Sequence, residues 1–187
     1  MLGEERPRME IRLKDEAQCS VCAKCMMACP QKAIILKKGK LNYYPQIVED
    51  KCIKCGACVN ACNNISFSNK IKRIYVGYNN NEKIVKKSAS GGIFTALAEL
   101  ILEKKGVVFG AIFDSKEKNI KHIGIENKTD LDKLRKSKYV QSKWFLTIDD
   151  IDRLVKQDRY ILFTGTPCQV SSIYNKYNNY ENISIYI

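Results

Sequence analysis

No apolar run in this chain approaches the ~18 residues that a bilayer-spanning helix needs. The longest, Val107 to Phe113, is interrupted by Gly110. No membrane span is therefore expected. No signal peptide opens the sequence, so its thiols are expected in a reducing compartment and the protein in the cytoplasm. The single histidine, His122, lies among lysines and reads as a surface residue on a strand edge. The single tryptophan, Trp144, reads with Phe145 as core. There is no nucleophile elbow and no Walker loop, which removes those routes to hydrolysis and to a P-loop nucleotide site. Acidic residues are the minority, 20 against 32 basic ones. Scattered lysines on solvated faces account for that surplus, and no nucleic-acid partner is expected. A positive field of this kind suits phosphate-bearing cofactors and an acidic redox partner.

Cysteine, by contrast, is abundant and ordered. Eight of the nine fall into two runs, Cys19, Cys22, Cys25, Cys29 and Cys52, Cys55, Cys58, Cys62, each spaced C-x2-C-x2-C-x3-C. This is the ligand spacing of bacterial two-cluster iron–sulfur proteins. Pro30 follows Cys29 as that pattern has it, while Asn63 stands where a second proline is usual. A shift of 33 residues carries each cysteine of the first run onto the second, which predicts two half-units related by a pseudo-two-fold. Three thiolates on one tight loop reach three irons of a cubane, and the fourth iron is reached from the other run. The expected ligand sets are therefore Cys19, Cys22, Cys25 and Cys62 for cluster I, and Cys52, Cys55, Cys58 and Cys29 for cluster II. Gly56 allows the second loop to bend close to its cluster, and Ala23, Ala28, Ala57 and Ala61 leave room for inorganic sulfide. Zinc is a poor rival, because zinc ribbons pair two C-x2-C units across a longer stretch. A disulfide framework would need an oxidising compartment. The segment is too small to bury much apolar surface, so two 4Fe-4S clusters must serve as its core. Residues 1–70 carry 12 basic and 7 acidic side chains, a surplus that the roughly −2 charge of each oxidised, thiolate-bound cluster nearly cancels. The lasting surplus lies downstream, where residues 71–187 carry 20 basic and 13 acidic side chains.

The expected fold class is α+β. A tail at 1–12 precedes a small duplicated ferredoxin-like domain at 13–70, in which Ala33–Leu36 and Leu41–Tyr44 pair as a hairpin and a short helix follows each cysteine loop. A linker at 71–86 contains the polar turn around Asn79-Asn80-Asn81. An α/β region with a partly parallel sheet comes next. Its first helix, capped by Ser88 or Ser90, runs through Leu102 and stops at Gly106. A buried strand covers Val107 to Phe113. Thr129 and Asp132 read as a capping box for a helix carrying Leu131 and Leu134. A helix at 147–157, the strand 160–164, a helix to about Tyr177 and a strand at 183–187 complete it, the last three as a βαβ unit. The chain stops within an apolar strand, and a longer protein is expected.

Three downstream motifs carry a resemblance: Ser88-Ala89-Ser90-Gly91-Gly92-Ile93, Ser137-Lys138-Tyr139-Val140-Gln141-Ser142 and Gly165-Thr166-Pro167-Cys168-Gln169. In this order behind a two-cluster domain they resemble the coenzyme F-420 hydrogenase/dehydrogenase beta subunit family, over roughly residues 15–187. The resemblance divides the second region into 87–136 and an incomplete part at 137–187. It implies an oxidoreductase with FAD and iron–sulfur clusters, exchanging electrons with a redox partner subunit and a small-molecule hydride acceptor or donor such as a deazaflavin coenzyme. Ser90, Gly91 and Gly92 would face the FAD diphosphate from a helix N-terminus, with Lys138, Tyr139 and Gln141 as donors or stacking surface around the flavin. Cys168 would be one ligand of a third 4Fe-4S cluster, completed by residues this sequence does not contain. The alternative is a ferredoxin-like electron-transfer subunit without a flavin of its own.

Overall fold

The computed structural model describes residues 13–40, 42–63 and 75–186. The expected tail at 1–12, Leu41 of the hairpin and residues 71–74 of the linker lie outside them. The chain divides into two compact units, Met1–Ser68 and Asn69–Ile187.

The first unit is helix, hairpin, helix. Helix α1 (Lys24–Ala28) leaves the first cysteine loop and ends at Cys29, whose extended backbone is what a following proline imposes. Strands β1 (Ile34–Lys38) and β2 (Tyr43–Ile47) pair antiparallel from Ile34↔Ile47 to Lys38↔Tyr43. The turn is tighter than the lysine-rich run suggested, closing with Gly39 N–H on the Asn42 carbonyl at 2.7 Å. Pro45 is tolerated within β2 because a two-stranded ribbon leaves every residue beside a free edge. A 3-10 turn at Glu49–Lys51 leads to the second loop and to helix α2 (Ala57–Asn63), which packs on α1. One buried cluster here joins Cys25, Ile34 and Cys58, with Leu13, Met26, Cys29 and Val59 against it.

The duplication is written into the backbone as well as the sequence. Val21 and Ala23 both take the left-handed conformation at φ 54°, and their counterparts 33 residues on, Lys54 and Gly56, do the same at 54° and 76°. Only the last is a glycine. Left-handed non-glycine residues carry a conformational cost that the surroundings must offset, and here the cost recurs at matched positions of both loops.

The second unit is a four-stranded mixed sheet in the order β4-β3-β5-β6. Helix α3 (Glu82–Lys87), in the segment expected to be linker, is capped by the Asn81 side chain, which accepts from Lys83 N–H at 3.0 Å. Helix α4 (Ile93–Glu103) begins at Gly92, not at a serine cap. Gly92 sits at φ +76°, and a Cβ there would meet Ile84 and Asn79 at 3.1–3.2 Å, so glycine decides where this helix starts. Ser88 turns the other way, donating to the Ile84 carbonyl at 2.8 Å at the end of α3. At its C-terminus, α4 closes with Gly106 N–H on Ile101 O and Lys105 N–H on Leu102 O, both at 2.9 Å, a Schellman arrangement. Lys105 supplies the left-handed residue. Gly106 is required for space, since a Cβ would lie 2.6 Å from Ile101 and from the Tyr160 carbonyl.

Strands β3 (Val107–Asp114) and β4 (Asn119–Ile125) form an antiparallel hairpin. Helix α5 (Leu131–Leu134) follows a 3-10 turn and has no side-chain cap, so the expected Thr129–Asp132 box does not form. Asp132 pairs instead with Arg135 and Lys87. Another 3-10 turn, Trp144–Thr147, runs into helix α6 (Ile148–Lys156). Strand β5 (Ile161–Thr164), helix α7 (Pro167–Tyr177) and strand β6 (Ile183–Tyr186) form the βαβ unit, with β5 parallel to both β3 and β6. One sheet face, carrying Val108, Ile125 and Leu162, packs on Ala98, Ile101 and Leu102 of α4 and on Leu131 and Leu134 of α5. By strand alternation Phe109, Ile161 and Phe163 point to the opposite face, where Trp144 meets Phe163 edge-on at 5.7 Å.

His122 is a correction. It is 4 % exposed, stacks on Phe163 with ring centroids 5.4 Å apart, and its Nε2 lies 2.9 Å from the Thr164 carbonyl. Its register partner in β3 is Ala111, whose small side chain leaves the imidazole room to reach across β3 to β5. The flanking lysines suggested solvent because strand alternation puts neighbours in sequence on opposite faces.

Candidate metal centres and cofactor site

In the first unit the two cysteine runs exchange their fourth members. Cys29, the last of the first run, lines one pocket together with Cys52, Cys55 and Cys58 of the second. Ala33, Ile34, Ile47, Ile53 and Gly56 supply much of the remaining wall. Conversely, Cys62 of the second run lies within electrostatic reach of both Cys19 and Cys25. Burial pushes the Cys25 thiol up to about 12, with Cys22, Cys19 and Cys62 adding to it. Burial raises Cys19 as well, with Cys22 and Cys62 assisting and the Val21 N–H opposing. Burial raises Cys58, helped by Cys29 and Cys55. Thiols that hold protons this firmly must surrender them on ligation, so metal uptake releases protons.

The donor set fits a cubane. Val21 N–H donates to Cys19 Sγ and Ala33 N–H to Cys29 Sγ, each at 3.3 Å. Hydrogen bonds of this kind offset thiolate charge and tune a cluster's potential. Among the described residues, no three His, Cys, Asp or Glu side chains converge on the point where a single ion would sit. A cubane asks for something else, because each thiolate binds its own iron at a separate corner. The two sets differ in exposure. Val21 is 1 % exposed in the first loop, whereas its counterpart Lys54 and the ligand-run residue Cys55 both face solvent.

In the second unit the structure ties two of the three downstream motifs together. Gln169 Nε2 donates to Ser142 Oγ at 3.1 Å, and Gln169 Oε1 accepts Thr166 N–H at 3.0 Å. Gln169 is buried, so this one side chain joins the Ser137–Ser142 loop to the turn that opens α7. Cys168, partly exposed, has its Sγ 3.2 Å from Thr166 Oγ1. His122 holds the preceding Thr164 carbonyl. With that carbonyl as acceptor, Nε2 carries the proton, leaving Nδ1 as a buried acceptor without a protein partner. Burial drives the His122 pKa down to about 4, with Lys138 adding and the Thr164 hydrogen bond opposing. The imidazole is neutral.

Ser90, Gly91 and Gly92 lie immediately ahead of α4. Gly91 is backed by the chain before it: Asn79 N–H donates to its carbonyl at 2.7 Å, and a Cβ would lie 3.0 Å from the Gly77 carbonyl. Lys138 donates to the carbonyls of Lys133, Leu134 and Arg135 at 3.4, 3.0 and 2.6 Å, capping the end of α5. Burial lowers its pKa. Tyr139 is 95 % exposed, and Gln141 is exposed too. The residue that sequence reasoning missed is Arg135. Its Nε donates at 3.1 Å to Thr95 Oγ1, fully buried in the first turn of α4, so a guanidinium stands at the start of that helix. The cue was its place just ahead of Lys136-Ser137-Lys138.

Residues 18–83 match the family model described as a 4Fe-4S dicluster domain. Residues 74–148 match that of the coenzyme F420 hydrogenase/dehydrogenase beta subunit, N-terminal part. Together the two matches run from residue 18 to residue 148. The dicluster match precedes the match to the beta subunit's N-terminal part. No curated protein matches it. Among solved structures, a chain of the xenon-derivatised F420-reducing [NiFe] hydrogenase complex from Methanosarcina barkeri is similar at 24% identity, with a TM-score of 0.46. The similarity covers 59% of this chain and 41% of that one, so this chain spans less than half of that chain's length. Among the described residues no helix is long and apolar enough to cross a membrane.

Proposed function

We propose that this chain is an oxidoreductase component in which two 4Fe-4S clusters exchange electrons with FAD bound by the second unit. Cys19, Cys22, Cys25 and Cys62 hold cluster I, and Cys52, Cys55, Cys58 and Cys29 hold cluster II. The observation that carries this reading is the exchange of fourth cysteines, with Cys29 in the pocket of the second run and Cys62 beside the first. The clusters, when bound, carry electrons singly, and FAD supplies the exchange between single electrons and a hydride. The protein's own residues hold and tune them. Ile34 and Ile47 line the second set, and the Val21 and Ala33 amides stabilise charge on sulfur.

For FAD, the Ser90-Gly91-Gly92 turn just ahead of α4 would offer backbone N–H groups, and Arg135 and Lys138 bring positive charge to the same neighbourhood. Tyr139 and Gln141 are solvent-exposed and would face the flavin. Cys168, on the turn that His122 and Gln169 brace, would supply one ligand of a third cluster. The substrate class is a small hydride acceptor or donor of the deazaflavin kind, and the partner a redox protein or subunit in the cytoplasm. Anaerobic purification tests this through iron, sulfide and the visible spectrum. About eight irons per chain with bound FAD is the expected result. Clusters without flavin would reduce the chain to an electron-transfer subunit, and zinc in place of iron would overturn the reading.

A further inference from the structure

The β1–β2 turn reaches back to the chain just ahead of the first cysteine run. Glu16 Oε2 accepts Lys40 N–H at 3.2 Å, and Oε1 accepts Asn42 N–H. A Cβ at Gly39 would lie 2.3 Å from the Glu16 carboxyl carbon and from one of its oxygens, so glycine alone leaves room for the carboxylate. Asn42 accepts Tyr43 N–H at 2.8 Å through Oδ1 and donates through Nδ2 to the Cys19 carbonyl at 3.5 Å. Between these anchors, Cys19 N–H donates to the Asp15 carbonyl and Gln18 N–H to Asp15 Oδ1, both at 3.0 Å. Residues 15–19 form a tight turn bound at both ends to the hairpin. Backbone amides on a carboxylate are charge-assisted and strong for their number.

The duplication supplies the contrast. The 33-residue shift that carries Cys19 onto Cys52 also carries Glu16 onto Glu49. Glu49 is exposed, and among the described residues its carboxylate has no partner. The two cysteine loops share sequence pattern and backbone turns, and among the described residues this carboxylate clamp is seen on the first.

We infer that Glu16, with Gly39 and Asn42, positions Cys19, so that the iron bound by Cys19 is retained in cluster I. This rests on Cys19, Cys22, Cys25 and Cys62 being the ligands of one cluster. Glu16 touches no iron and acts through the turn.

The test uses the full chain purified without oxygen, as wild type, Glu16→Ala, Glu16→Gln, Gly39→Ala and Glu49→Ala, each treated with ferricyanide. A cubane in its 2+ state that loses a poorly held iron releases one ferrous ion and one electron. The electron reduces ferricyanide, and the three-iron core left behind gives an EPR signal that the intact 2+ core lacks. Glu16→Ala and Gly39→Ala are expected to release about one iron of the eight per chain with that signal. Wild type and Glu49→Ala release several-fold less, and Glu16→Gln, which keeps one acceptor, falls between. Equal release from Glu16→Ala and Glu49→Ala, no release from either clamp variant, or loss of both clusters in equal measure would overturn the inference. A wild-type protein without iron would instead overturn the cluster assignment beneath it.

Discussion

Replacing Cys29 by serine should empty the pocket of the second cysteine run, not the first. The side chain lies with Cys52, Cys55 and Cys58, and its Sγ accepts the N–H of Ala33. Ala33 is buried, so alanine at 29 would also strand that donor at a cost of about 1–3 kcal/mol. Serine can keep accepting while ligating poorly, which separates loss of a ligand from loss of fold. Iron should fall from about eight toward about four per chain. Alkylation at pH 8 with peptide mapping then reports which thiols were freed. Cys25 is a silent position: with its pKa near 12, about one part in 10,000 is thiolate at pH 8, against roughly a quarter for an ordinary thiol. Exposed Cys55 is the reporter for cluster II, and the less buried Cys22 for cluster I. Cys29→Ser should label Cys55 and spare Cys22, and Cys62→Ser should do the reverse. Labelling of Cys22 in Cys29→Ser, with Cys55 protected, would mean that each run closes on its own cluster and would refute the exchanged arrangement.

Other expectations concern the second unit. His122 is held neutral, so its folded pKa near 4 lies below the unfolded value near 6.5; the unfolded state binds more protons in that window and stability falls as pH drops through it. Wild type should lose about 3 kcal/mol more than His122→Gln between pH 7 and pH 4, measured by denaturant unfolding, and parallel losses would refute the assignment. Gln169→Leu leaves Thr166 N–H and Ser142 Oγ without the partner they share, and should lower the unfolding free energy by about 2 kcal/mol. Arg135→Met should weaken FAD binding about tenfold in a fluorescence titration, the equivalent of one charge-assisted hydrogen bond, and an unchanged affinity would move the diphosphate elsewhere.

What could be read in advance followed from local chemistry. The strand Val107–Asp114, the α6 helix and the β5-α7-β6 unit appear close to where apolar pattern and turn residues placed them. Helix starts were less legible. Serines at 88 and 90 and Thr129 have the right chemistry for caps, but Gly92 opens α4 because only its backbone fits the space between Ile84 and Asn79, and Asp132 is drawn to Arg135 and Lys87. Lys138 was read as a donor toward a ligand, whereas the fold brings the open carbonyls of α5 within its reach.

Cysteine spacing by itself carried the expectation of iron–sulfur chemistry, the doubling of the run and the proposed sharing of ligands, because ligand geometry repeats with residue number along a single loop. Only tertiary structure decided that His122 is a buried neutral brace, that Arg135 stands at the start of α4, and that Glu16 clamps the first cysteine loop to the hairpin. Those outcomes depend on which distant backbone groups arrive beside a side chain, and contacts across 24, 40 or 42 positions leave no periodic trace in the sequence.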